Sequence, residues 1–356
     1  MTIDLRSDTR TLPDQEMKAA MVAAPLGDDS FGDDPTVREL EEQASALTGK
    51  AAAVFTCSTT MSNLLAVLAL GGMDDGAVVV AGAEAHLMHY ENDNVRRLGR
   101  GRVVMVPDAP FGQIEPAVVA SVLRGSGAAV LCLENTHNRL GGNALPPWSL
   151  AEVSAAARDA CASVHLDGAR LANASVALGQ PVAQLAGGAD TVAVSLCKGL
   201  SAPAGSVLAG DVAVIERARY LRRMIGGTMH QSGMLAAAGL VALGRIGRLA
   251  DDHRRAAKLA ARLGEIPGIV VRTVPHPTNM VFAGLPGCPA GELAGSLARH
   301  GLLGLPVTDE EVRFVLHAGH EDSDVSVAVT AGARAVAELE PGLAQPAGFS
   351  RPRIRS

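Results

Sequence analysis

A few polar residues stand directly after apolar runs, where a buried strand should end. "HLDGARLANA" places Asp167 and Arg170 three positions apart, and "TVAVSLCKGL" delivers Lys198. "VLCLENTHNR" brings Glu134, Asn135 and His137, and "VFTCSTTMSN" brings Ser58, Thr59 and Thr60 just before a helical pattern. Each has an ordinary structural reading: a lysine after a strand as a snorkelling surface residue, an aspartate as a cap or loop anchor. Taken together they have a chemical one. A lysine can hold an aldehyde as an imine, and a carboxylate can keep a pyridine nitrogen protonated. A helix start can receive a phosphate, and an arginine a substrate carboxylate. That set describes a site for pyridoxal phosphate.

The elements that must position these residues follow a βαβ rhythm. Short runs such as "AAAVF", "GAVVVAG", "GRVVMVP", "AAVLCLE", "ASVHLD", "TVAVSLC" and "SVLAG" alternate with helical stretches. Several runs are apolar on both faces, which predicts a mainly parallel sheet covered by helices. In such a sheet ligands bind beyond the carboxyl ends of the strands. "PTVRELEEQASALTG" predicts a helix opened by Pro35 and closed by Gly49. The segment from His230 to Ile266 predicts a long helical region. The expected organisation is a large domain over 1–245, a smaller α+β domain over 246–340, and a Pro/Gly/Arg-rich tail over 341–356 with little to bury.

Composition narrows the function. Apolar residues make up 48% and aromatics only 3%, so Ala, Val and Leu must fill the core. A net charge of -6 argues against nucleic acid as a partner. Five cysteines, odd in number and mostly in apolar runs, fit reduced thiols, and no run is long enough to cross a bilayer. A soluble cytoplasmic protein with no membrane partner is expected. Competing motifs fail: there is no G-x-G-x-x-G, no complete P-loop and no G-x-S-x-G. "HLMHYE" lacks the spacing of a zinc-binding helix, so no metal is expected.

In motif order the chain resembles the low-specificity threonine aldolases, within the beta-eliminating lyase group of fold-type I pyridoxal-phosphate enzymes. The likeness runs through "IDLRSDTRTLP", "GDDSFGDDPTVRELE", "CSTTMSNLLA", "ENTHNRLGG", "HLDGARLANA", "SLCKGLSAPAGSVLAG" and "GGTMHQSGMLAAAG" to "TNMVF". It implies an aspartate aminotransferase-like α/β large domain and a smaller α+β C-terminal domain. It also implies pyridoxal 5'-phosphate as cofactor, an amino-acid substrate, and a homodimer or homotetramer. By the same resemblance Lys198 is the lysine bound to the cofactor, and Asp167 faces the ring nitrogen. His86 stacks on the ring, while His137 lies near the substrate hydroxyl. Ser7, Arg170 and Arg313 hold the substrate carboxylate, and Ser58, Thr59 and Thr60 meet the phosphate.

The implied reaction is retro-aldol cleavage of a β-hydroxy-α-amino acid to glycine and an aldehyde, with His86 or His137 as base. β-Elimination, racemisation or transaldolation at the same site is the competing reading, and a non-catalytic relative a further one. The chain departs from the family's usual pattern in a few places. Thr59 stands for a glycine beside the phosphate. Thr228 and His230 stand for a glycine and an arginine, with His230 a weaker substitute near the phosphate. Asp93-Asn94 replaces a double glycine, Phe31 a tyrosine, and Arg10 a common valine.

Overall fold

A computed structural model describes residues 2–72 and 76–340. The tail over 341–356 lies outside the described residues. The chain opens with a two-residue strand, β1 (Ile3–Asp4), and then builds a seven-stranded sheet. Its strands are β2 (Ala52–Thr56), β3 (Val78–Gly82), β4 (Arg102–Val106), β5 (Val130–Glu134), β6 (Ser163–Gly168), β7 (Thr191–Ser195) and β8 (Ser206–Gly210). The spatial order is β2-β8-β7-β6-β5-β3-β4. Pairs β7–β6, β6–β5, β5–β3 and β3–β4 are parallel, while β8 runs antiparallel to both neighbours. The strands β5, β7 and β8 are buried along their whole length, which explains their uninterrupted apolar sequence.

Local signals hold where they are strong. The helix Pro35–Thr48 starts at Asp34, whose carboxylate accepts the Thr36 and Val37 N–H groups at 3.1 Å each. It ends at Gly49, left-handed at φ 67°. The helical region expected after His230 forms as two helices, Gly233–Leu243 and Leu249–Gly264, with a bend of 58° between Gly233–Leu243 and Ile246–Gly264. Gly244 and Gly247 flank the break; a glycine pair is a weak point in a helix.

A second, antiparallel sheet follows: β9 (Val270–Val271), β10 (Met280–Gly284), β12 (Leu305–Pro306) and β13 (Val312–Val315), in the order β12-β13-β10-β9. The strand β11 (Leu302–Leu303) pairs in parallel with β1. The first residues therefore join the C-terminal part of the molecule, and Ile3 and Leu5 are buried with Leu259, Val312 and Phe314. The Val315 N–H donates to the Leu5 carbonyl at 2.7 Å. That pairing carries residues 7–11 back to the ends of the large sheet.

Candidate active site

The carboxyl ends of β2, β6 and β7 open into one cavity of about 380 Å³. Ser58, Thr59, Thr60, His86, Asp167 and Lys198 line it, together with Thr9 and Thr11 from the N-terminal segment. The size suits a small organic cofactor.

Asp167 is the next-to-last residue of β6 and is buried. Its Oδ2 accepts from the Asn63 amide at 2.8 Å and its Oδ1 from the Ala169 N–H at 3.0 Å. The same Asn63 nitrogen donates to Glu91 Oε1 at 2.8 Å. With its nitrogen so committed, Asn63 presents Oδ1 to His165 Nε2 at 3.0 Å, so that ring nitrogen carries the proton. His165 Nδ1 then accepts from Thr191 Oγ1 at 2.9 Å. Burial pushes His165 down to about 4, which keeps it neutral. Burial also opposes ionisation of Asp167, but the charges of His86 and Lys198 and the Asn63 hydrogen bond outweigh it. They hold the carboxyl below its ordinary value.

Lys198 follows β7 with a left-handed backbone, φ 55°. A non-glycine residue there is strained, and two bonds hold it. Thr11 Oγ1 donates to the Lys198 carbonyl at 2.8 Å, and Arg248 Nη2 to the next carbonyl, Gly199, at 3.1 Å. Burial and the nearby Arg170 lower the affinity of its amine for a proton.

His86 begins a short helix and faces the cavity. Its Nδ1 lies 3.0 Å from Glu91 Oε1, and its backbone N–H donates to Glu134 Oε2 at 2.7 Å. Burial favours the neutral ring, yet the Glu91 bond and the charges of Asp167 and Glu134 raise its pKa above the usual value. Because Glu91 takes the Nδ1 proton, Nε2 is the nitrogen left for chemistry.

At the head of the helix Thr59–Gly71, Ser58 Oγ accepts the Met61 N–H at 3.2 Å. The first N–H groups of a helix have no intrahelical acceptor, so those of Thr59 and Thr60 can serve an anion. Each Asp167 oxygen accepts one bond and retains a lone pair. An ionised carboxylate, a buried primary amine and a helix N-terminus around one cavity fit the donor set that pyridoxal phosphate requires.

Beside the cavity lies a cluster built from four distant segments. Arg170 Nε and Nη2 donate to the two oxygens of Asp8 at 2.8 and 2.6 Å. Arg170 Nη1 and Arg313 Nη1 both donate to Asn138 Oδ1, at 3.3 and 2.7 Å. Arg313 Nη2 reaches the Arg6 carbonyl at 3.1 Å, and its Nε has no partner. Ser7 is half-buried, and its Oγ accepts from the Thr9 N–H and hydroxyl at 3.2 and 2.9 Å.

Five expected residues lie outside the cavity lining: Ser7, Arg170 and Arg313 in the cluster beside it, and His137 and His230. His137 does not line the cavity. It is 2% exposed and borders a separate void of about 20 Å³ with Asp108 and Glu134. Its Nε2 is 3.5 Å from Asp108 Oδ1, and a Cβ on Gly112 would come within 2.5 Å of it. Gly112, left-handed at φ 88°, is therefore what lets the chain close over this ring. His230 is an exposed residue paired with Asp28 at 3.2 Å, outside the cavity lining. Its substitution for arginine thus puts no charge at the phosphate end within this chain. Of the Asp93-Asn94 pair, Asp93 is left-handed at φ 60°, a region aspartate tolerates, while Asn94 begins the short helix Asn94–Arg97 and needs no glycine.

Asp8, Asn63 and Asn138 are not marked by the strand-end pattern, and Glu91 stands out in the sequence only within "HLMHYE", as a candidate metal ligand. Asn63 had one available signal, a lone amide in the apolar helix "TTMSNLLAVLALG". A buried amide there must answer other polar groups.

A mixed, mostly parallel sheet with a lysine and a carboxylate at its strand ends defines the fold-type I class of pyridoxal-phosphate enzymes. The pattern of the beta-eliminating lyase family matches residues 4–285, and the chain belongs to that family. It is 38% identical to low-specificity L-threonine aldolase 1 of Arabidopsis thaliana over 335 residues, 91% of this chain and 93% of that protein. It is 40% identical to the low specificity L-threonine aldolase of Escherichia coli K12 over 286 residues, 79% of this chain and 84% of that protein. Among solved structures, the threonine aldolase of Leishmania major superposes with a TM-score of 0.79 at 21% identity, covering 94% of this chain and 99% of that one. A serine palmitoyltransferase of Sphingomonas wittichii gives 0.73 at 18%, covering 95% and 88%. At those identities the two structures bear on the fold.

Proposed function

We propose that this chain is a pyridoxal-phosphate-dependent aldehyde-lyase that cleaves threonine-like β-hydroxy-α-amino acids to glycine and an aldehyde. The observation that carries the reading is the placement of ionised Asp167 and buried Lys198 in one cavity, with two buried arginines beside it. The names of the relatives support the substrate class.

When bound, the cofactor supplies an electron sink for the pair left on Cα. Lys198 would hold its aldehyde, Asp167 the proton on its ring nitrogen, and the Thr59 and Thr60 N–H groups its phosphate. Arg170 and Arg313 would orient the substrate carboxylate, and so decide which bond at Cα is presented for cleavage. His86 is the histidine that faces the cavity. Its Nε2 accepts the β-hydroxyl proton as Cα–Cβ breaks, and Glu91 on Nδ1 stabilises the resulting imidazolium; such positioned help contributes roughly 10²–10⁴-fold. Lys198, its proton affinity lowered, would return a proton to Cα.

Exposed apolar side chains at Leu12, Val22 and Phe31 support assembly as a homodimer or homotetramer. Among the described residues no single helix is long and apolar enough to cross a membrane. All five cysteines are unpaired, which supports a cytoplasmic setting. Incubation of the purified protein with threonine, allo-threonine and phenylserine tests the activity. Equimolar glycine and aldehyde are expected; glycine without aldehyde, or no turnover on all three, would contradict it.

A further inference from the structure

Within the hydrogen-bonded cluster of Asp8, Asn138, Arg170 and Arg313, two guanidinium groups share one carboxylate, while the charges of Glu134 and Asp167 act on Arg170 from outside it. Asp8, Arg170 and Arg313 are all at least nine-tenths buried, and Asp8 is spent on Arg170 through two hydrogen bonds. Arg313 faces Arg170 with no carboxylate of its own, and burial together with that like charge lowers its pKa to about 10. What joins the two guanidinium groups is the side chain of Asn138, itself 7% exposed. Facing two donors, the amide must present its oxygen. The Asn138 backbone is fixed in turn, because its N–H donates to Glu134 Oε1 at 2.8 Å. The other oxygen of Glu134 receives the His86 N–H.

Aspartate has nearly the size of asparagine and would bridge two arginines more strongly, since it adds a full negative charge to hydrogen bonds already assisted by the guanidinium charge. It would also cancel the surplus positive charge. Asparagine bridges without cancelling. We propose that Asn138 is a specificity-determining positioning residue: its amide oxygen holds Arg170 and Arg313 converged, and its neutrality reserves their surplus charge for one substrate carboxylate. The inference rests on the reading of the cavity as an amino-acid site.

The test compares glycine with glycinamide, which keeps the amine and loses the carboxylate charge. Binding of each to the cofactor-loaded protein is followed by the change in visible cofactor absorbance. The wild-type protein should prefer glycine, and Asn138→Asp should lose about tenfold or more of that preference. Asn138→Ser, smaller and neutral, should bind glycine about tenfold more weakly yet still favour it over glycinamide. In the cleavage reaction it should raise KM by a larger factor than it lowers kcat. An unchanged preference in Asn138→Asp overturns the inference, as does a fall in kcat at constant KM in Asn138→Ser. Should Asn138→Asp fail to load cofactor, the Asn138→Ser result decides alone. A wild-type absorbance that answers neither compound overturns the amino-acid reading itself, and the inference with it.

Discussion

The cofactor side of the site and the carboxylate side are built in opposite ways. Asp167 and Lys198 sit at or just after the ends of adjacent parallel strands, and Ser58 to Thr60 at the end of another. Their positions follow from the sheet alone. Asp8, Asn138, Arg170 and Arg313 come from four segments, and the pairing of β1 with β11 draws the N-terminal segment toward that corner. The first arrangement is local and tolerant; the second depends on the C-terminal sheet meeting the large one. Cofactor chemistry is thus tied to the sheet, and substrate recognition to how the two sheets meet.

Breaking the second arrangement should cost most in stability. Asp8→Ala leaves Arg170 buried without its carboxylate, a loss of roughly 3–5 kcal/mol. Chemical denaturation at neutral pH measures it. Arg170 holds the Asp8 pKa well below the ordinary carboxylate range, with Lys198 and Arg313 assisting, against burial acting the other way. The wild-type advantage should therefore be full at neutral pH, above the unfolded-state pKa, and fade as pH falls far enough to protonate the folded carboxyl. Equal stability of wild type and variant at neutral pH would show that the corner is not held by this pair.

A smaller effect should sharpen the cofactor side. The base form of His86 is the neutral ring, so the cleavage rate should rise with pH through a midpoint above the ordinary histidine value. Glu91→Gln removes one of the negative charges that raise the His86 pKa, and the midpoint should drop. The pH–rate profiles of the two proteins check this. An unmoved midpoint would assign the base to another group.

The same contrast explains what the sequence reveals. Lys198, Asp167 and the helix start at Ser58 are legible because an apolar run ending in a polar residue marks a strand end. Asn138 and Asp8 are not, because no periodicity signals a partner 32 or 162 residues away. His137 is legible in the same way as Lys198, yet the structure gives it different surroundings. It stands three residues past β5, as a site residue would, but the chain turns there, and Gly112 packs against its ring. His230 follows a family position whose surroundings here place it against Asp28.

The central claim is that Lys198 binds pyridoxal phosphate in the cavity it shares with Asp167. The direct measurement is the visible absorption spectrum of the purified protein supplied with pyridoxal phosphate and freed of excess, for wild type and Lys198→Ala. A band is expected in the wild type and not in the variant. A wild type with no band, or a variant whose band survives dialysis unchanged, would contradict the central claim.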